Sequence, residues 1–200
     1  MPGSFDEMAV GFQLWLNLRS EKKMVEPKYQ EYTKNEIPVI EKNGNKITII
    51  CGEWEGNKGV IKYETPSIYF LVELAENGTF ELPLKANWSS LIFAFEGNVT
   101  YDGGKEVRNV DNGFVCVLEN HGEGEILHKF ASKTGGKFLF IGGEPIGEPM
   151  INKGPFAMNT QEEVEQAYKD YKETTNGFED AKNWSSKIKY LADGKKYEEL

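Results

Sequence analysis

The sequence predicts a mainly β protein, a sandwich or barrel of short strands carrying a short helical tail. Three observations predict it. Apolar, β-branched and aromatic runs recur at short spacing, turn residues punctuate them, and helical periodicity is confined to the tail. The turn residues are abundant: 21 Gly in 200 residues, many beside Asn or Asp. With 39% hydrophobic residues, the composition is that of a globular chain able to bury a core, in one large or two small domains.

The elements follow in order. Val10 to Leu18 alternates with period two, placing Phe12, Leu14, Leu16 and Leu18 on one face of a predicted N-terminal strand. A charged, Pro-containing connector from Arg19 to Pro38 reads as a crossing loop. Predicted strands then follow at Lys46 to Cys51, Val60 to Tyr63, Ile68 to Leu74, Leu91 to Phe95 and Val99 to Tyr101. Three more are predicted at Phe114 to Leu118, Ile126 to Phe130 and Lys137 to Ile141, with Asn-Gly or Gly-rich turns between strands. Thr160, with Glu163 three residues on, forms a capping-box pattern. Val164, Ala167, Tyr168 and Tyr171 then fall at helical spacing, and Asn176-Gly177 ends the helix. A second short helix is predicted around Phe178 to Trp184, before a charged terminus over Leu191 to Leu200.

Charge and composition exclude some functions. Net charge is −9, which argues against direct nucleic-acid binding, because that affinity comes from Lys and Arg neutralising phosphate. No apolar stretch approaches the ~20 residues of a membrane-spanning helix, and the first residues lack a secretory pattern. The chain is therefore expected in a reducing compartment, cytoplasmic and/or nuclear. Cys51 and Cys116, each in a strand-like apolar run, are expected to be buried free thiols.

The one cluster resembling a metal site is Glu119, His121, Glu123 and Glu125, with His128 nearby. A solvated, acidic Gly-rich turn explains it better, since flexible glycine loops do not pre-organise ligands. Gly-x-Ser-x-Gly and Cys-x-x-Cys are absent. The Walker pattern fails because Ala131 and Phe138 stand where Gly and Ser or Thr are needed. Phe93/Phe95 and Phe138/Phe140 sit two apart, as a barrel interior or a packed face requires.

Three stretches resemble the pirin family: GFQLWLNLRSEKKMVEPKYQEY (Gly11 to Tyr32), GGEPIGEPMINKGPFAMNTQEEVEQAYKDY (Gly142 to Tyr171) and NGFEDAKNWSSKI (Asn176 to Ile188). The likeness runs from about Val10 to Ile188. It implies a cupin, or jelly-roll, β-barrel with an N-terminal strand arm and a short helical tail, one half of a two-barrel architecture. It further implies that the first barrel of the family holds iron through three histidines and a glutamate, while the second holds none. The family roles implied are an iron-linked transcriptional co-regulator in the nucleus and a quercetin 2,3-dioxygenase-type activity.

On this resemblance, residues 1–38 are expected to be the strand and connector left from the first barrel, 39–155 the C-terminal cupin barrel, and 156–200 the helical tail. None of the four iron ligands has a counterpart here, and the whole chain contains two histidines. No cofactor and no catalytic residue are therefore expected in this chain, which is expected to bind rather than to catalyse. An alternative is a fragment or mis-started form of an iron-dependent dioxygenase. Phe12, Leu14, Leu16 and Leu18 are the candidate partner-binding residues, for a protein partner or for self-association. Burying such side chains is worth ~1.5–3 kcal/mol each as an upper bound.

Overall fold

A computed structural model of the chain describes residues 11–118 and 122–186. It divides into two compact units. Met24–Gly147 forms one, and the described residues of Met1–Lys23 and Glu148–Leu200 form the other.

The larger unit is built from twelve strands: β1 (Val39–Lys42), β2 (Asn45–Cys51), β3 (Glu53–Trp54), β4 (Asn57–Lys58), β5 (Ser67–Leu74), β6 (Gly78–Lys85), β7 (Ser89–Gly97), β8 (Val99–Asp102), β9 (Val107–Val110), β10 (Val115–Leu118), β11 (Glu125–Ser132) and β12 (Gly136–Gly143). A six-stranded sheet runs β1-β2-β5-β12-β7-β10 and a four-stranded sheet runs β6-β11-β8-β9, with every ladder antiparallel. Alternation decides which side chains meet between them. Ile47, Ile49, Phe70, Val72, Ile92, Ala94, Phe138 and Phe140 come from the first sheet. Phe80, Leu82, Val99, Tyr101 and Phe130 come from the second.

Turn chemistry fixes the first hairpin. Asn43 and Gly44 both have positive φ, 52° and 79°, and join β1 to β2 as a two-residue turn whose twist matches the strands. Gly97 is required for a different reason: a Cβ there would collide with the carbonyl oxygen of Gly135.

One predicted strand of this unit is absent, and one strand that the sequence reading did not find is present. Val60 to Tyr63 is not a strand; Ile61 makes a single parallel bridge to Cys51, and its N–H donates to the Ile50 carbonyl at 3.1 Å. The strand β6 was hidden by Pro83, since proline cannot donate to a ladder. It is tolerated because β6 is an edge strand, bonded among the described residues on one side only, to β11. Cys51 is a buried free thiol, as expected, and desolvation pushes its pKa up; Cys116 is free but half-buried.

The smaller unit contains a 3-10 turn at Ser20–Lys22, a hairpin of β13 (Ile151–Lys153) and β14 (Phe156–Met158), and helix α1 (Gln161–Glu173). The capping box is present as the sequence predicts. Glu163 N–H donates to the Thr160 hydroxyl at 3.2 Å, and Thr160 N–H donates to the Glu163 carboxylate at 3.0 Å. Val164 is the buried anchor of the helix, and Phe156 sits edge-on to Tyr168 and Tyr171. Phe178 to Trp184 forms successive turns rather than a second helix: Ala181 N–H reaches back to Phe178 and Asn183 N–H to Asp180, with no i→i+4 bonds. Leu191 to Leu200 lies outside the described residues.

The predicted N-terminal strand is also corrected. Gly11 to Leu18 has no strand assignment, and Val10 lies outside the described residues. Period-two patterning prepares a segment for a sheet, but a strand exists only when a neighbour supplies the other half of its ladder. Residues 13–18 make no backbone hydrogen bond to the described part of the chain.

Candidate functional site

Residues 13–18 therefore carry the apolar alternation of a strand without a backbone partner among the described residues. Leu14 and Leu18 are half-buried, whereas Phe12 and Leu16 are exposed, and on the opposite parity Trp15 is 70% exposed. The structure thus splits the four candidate residues into two half-buried and two exposed.

The segment leads into an anchored turn. Ser20 N–H donates to the Glu148 carboxylate at 2.7 Å, and Asn159 Nδ2 donates to the same carboxylate at 3.0 Å and to the Pro149 carbonyl at 3.0 Å. The Ser20 amide is the main reason the Glu148 carboxyl is held below the usual carboxylate range; desolvation opposes it, and Asn159 adds to the lowering. Lys23 Nζ donates to Asn17 Oδ1 at 2.6 Å and to the Ala157 carbonyl at 3.3 Å. One end of the segment is fixed by these contacts, which leaves an exposed apolar stretch on a defined base.

The outer face of the six-stranded sheet is the second apolar surface. Register places Leu71, Leu139, Phe93 and Val115 in one row across four strands, and Tyr69, Ile141, Leu91 and Val117 in the next. Phe93 and Phe95 belong to this face, whereas Phe138 and Phe140 are fully buried inside. Exposure on this face is greatest at the edge: Leu139 is 5% exposed, and Val115 and Val117 are 56% and 67%. Beside that edge, a cleft of about 400 Å³ is lined by Arg108, Val110, Phe114 and Cys116 among others.

The interior holds one polar pair that bears on metal binding. His128 is fully buried, and its Nδ1 shares a 3.0 Å hydrogen bond with the Tyr101 hydroxyl. Either tautomer leaves Nε2 without a protein partner. Rings surround it: Tyr101 at 5.7 Å and Phe140 at 6.5 Å between centroids. Burial alone pushes its pKa below the ordinary value of 6.5. An iron site of the three-histidine, one-glutamate kind does not fit around it. One imidazole in an aromatic cage supplies one donor, and among the described residues no three His, Cys, Asp or Glu side chains are gathered to hold an ion.

Glu123 and Glu125 of the acidic turn are exposed, while Glu119 and His121 lie outside the described residues. The sequence reading put His128 beside that turn. Its parity with Phe130 on β11 was the available signal that it points inward instead.

A further concavity of about 180 Å³ lies against Trp54 and Phe80, with Lys42 5.5 Å above the indole ring. Trp54 donates from Nε1 to the Glu81 carbonyl at 3.3 Å, and Lys42 is paired with Glu55, so both polar groups are occupied.

Residues 69–177 match the family of the Pirin C-terminal cupin domain. Pirin from Homo sapiens is 39% identical over 188 residues, covering 94% of this chain and 64% of the human protein. A pirin-like protein from Solanum lycopersicum is 38% identical over 177 residues, covering 88% of this chain and 60% of that protein. The chain thus spans less than two thirds of the length of these relatives. Among solved structures, a quercetin 2,3-dioxygenase from Acinetobacter baumannii superposes with a TM-score of 0.72 at 27% identity, covering 80% of this chain and 54% of that one.

Proposed function

We propose, from the premise that this chain belongs to the pirin family, that it serves as a metal-free binding module engaging a protein partner or a second copy of itself. The observation that carries this is segment 13–18, alternately apolar and without a backbone partner among the described residues. Exposed apolar residues on an unpaired strand-like segment are an invitation to add to another sheet. The lack of a fitting donor set around His128 among the described residues supports recognition over metal chemistry. A co-regulator role in the cytoplasm or nucleus, of the kind the family resemblance implies, is consistent with such a module.

Light scattering on a sizing column tests it. The parent chain is expected to run above its 22.7 kDa monomer mass, or to acquire mass with a partner. Leu14→Asp with Leu16→Asp should abolish that. A clean monomer whose behaviour and stability ignore both substitutions would refute the proposal.

The structural likeness to a quercetin 2,3-dioxygenase favours a second reading, in which the chain is part of an iron-dependent oxygenase. Turnover of quercetin by the 200-residue chain with added Fe(II), above a buffer control, would establish it in place of the first.

A further inference from the structure

We propose that Asn43 is a modification site. Of the four Asn-Gly pairs in the chain, Asn43-Gly44 is the one that loses its side-chain amide first, and the isoaspartyl linkage left behind releases β1 from its sheet. The proposal is independent of the interaction role above and rests on how the fold holds each pair.

The reaction has fixed requirements. The peptide nitrogen after the asparagine sheds its proton and attacks the side-chain carbonyl carbon, Cγ. A C–N bond forms, the side-chain nitrogen leaves as ammonia, and a cyclic succinimide remains. Water then opens the ring at either carbonyl, giving an aspartyl or an isoaspartyl residue. The sum is water taken up and ammonia released, with no other reagent. A following glycine helps because no Cβ shields the nitrogen, and asparagine is accordingly among the thermolabile residues. An acceptor that holds this N–H opposes the attack, since the proton must leave and the nitrogen must turn toward Cγ.

The fold supplies such an acceptor at three of the pairs. Gly78 is buried and its N–H donates to the Ala75 carbonyl at 2.9 Å; Gly113 N–H donates to the Ala94 carbonyl at 2.7 Å. Gly177 N–H donates to the Glu179 carboxylate at 2.9 Å, whose charge disfavours an amide anion. Asn176 Nδ2 is itself tied to the Asp170 carboxylate at 2.9 Å. At the remaining pair both residues are exposed. Among the described residues neither the Gly44 N–H nor the Asn43 side chain makes a hydrogen bond.

The place of this turn in the sheet allows it to open. β1 has four residues, none of them buried, and among the described residues it is bonded to β2 alone. Local opening of such an edge costs far less than unfolding the whole unit, and it frees ψ of Asn43 to bring the Gly44 nitrogen to Cγ.

The product does not restore the hairpin. An isoaspartyl residue carries the main chain through its β-carbon, adding a methylene to a two-residue turn that sets Lys42 opposite Asn45. β2 is the side that stays. Asn45 is buried, its Nδ2 donating to the Thr79 carbonyl at 2.8 Å and its Oδ1 accepting the Ala75 N–H at 2.9 Å. β1 therefore gives way, and Lys42 leaves Glu55 and the Trp54 ring.

The test ages the full chain at mildly alkaline pH, both native and unfolded in urea. Peptide mapping by mass spectrometry follows conversion at each pair, and fragmentation separates isoaspartyl from aspartyl products. The urea rates remove the effect of neighbouring sequence. Relative to them, native conversion at Asn43 is expected to outpace each other pair by about fivefold or more, the factor that the net worth of one hydrogen bond supplies. In the purified isoaspartyl chain the β1 amides should exchange hydrogen about tenfold faster or more than in the parent. Asn43→Asp, with the same charge and an ordinary linkage, should exchange like the parent.

A margin below about fivefold over Asn77, Asn112 or Asn176 overturns the assignment. So does a native chain without product at Asn43 once the unfolded chain has converted. Parent-like exchange of β1 in the isoaspartyl chain, or equal acceleration in Asn43→Asp, overturns the release of the strand.

Discussion

Tyr101→Phe removes one oxygen from a side chain that is almost wholly inside the larger unit. The ring remains, so little cavity opens and the transfer term is close to zero. What changes is His128: Nδ1 loses its 3.0 Å partner, and Nε2 already has none. Both ring nitrogens then face an aromatic cage. A satisfied neutral hydrogen bond contributes ~0.5–1.5 kcal/mol net, and a buried polar atom deprived of its partner costs ~1–3 kcal/mol. The expected loss is therefore about 1–3 kcal/mol, or a few degrees of melting temperature per kcal/mol for a chain of this size.

Urea unfolding near neutral pH, followed by tryptophan fluorescence, measures that loss. A double-mutant cycle with His128→Leu isolates the pair. Replacing both members with apolar groups removes the orphan along with the bond. The double variant should thus be less damaged than the sum of the singles, by about 1 kcal/mol or more. A loss below ~0.5 kcal/mol for Tyr101→Phe, together with an additive cycle, would refute the account of this core.

The same histidine predicts a pH dependence. Its folded pKa is depressed by desolvation below the ordinary 6.5, so the unfolded chain takes up a proton that the native core refuses. Stability is then whole above about pH 6.5 and falls as the pH drops toward the folded value, by at most ~1.4 kcal/mol per unit. Denaturation of the parent and of His128→Leu at several pH values checks it; identical slopes below 6.5 would count against a buried neutral imidazole. In the smaller unit, Thr160→Ala removes the hydroxyl that receives the Glu163 amide and should cost the helix about 1 kcal/mol. Faster hydrogen exchange at the first amides of α1, restored by Thr160→Ser, is the expected signature, and unchanged exchange would show the cap to be idle.

Much of the fold was legible because strands and turns are written locally. Asn43-Gly44 specified a turn, Thr160 with Glu163 specified a helix start, and the apolar run from Ile68 to Leu74 marked a strand. The difficulties arose where a neighbour decides the outcome. Pro83 argues against a strand unless that strand is at an edge, and edge position belongs to the sheet order. Phe93 and Phe95 carry the same local pattern as Phe138 and Phe140. Yet register places one pair outside and the other within the core.

The sequence by itself determined the β class, the helical tail, the family resemblance and the scarcity of imidazole. These follow from residue types and from periods that a chain displays whether or not it is folded. Only the tertiary structure decided that residues 13–18 have no ladder among the described residues, that β10 ends its sheet beside a cleft, and that His128 is enclosed by rings. The reason is physical. A hydrogen-bond ladder, an edge and a desolvated imidazole are relations between groups distant in the chain, and each comes into being when the fold brings those groups together.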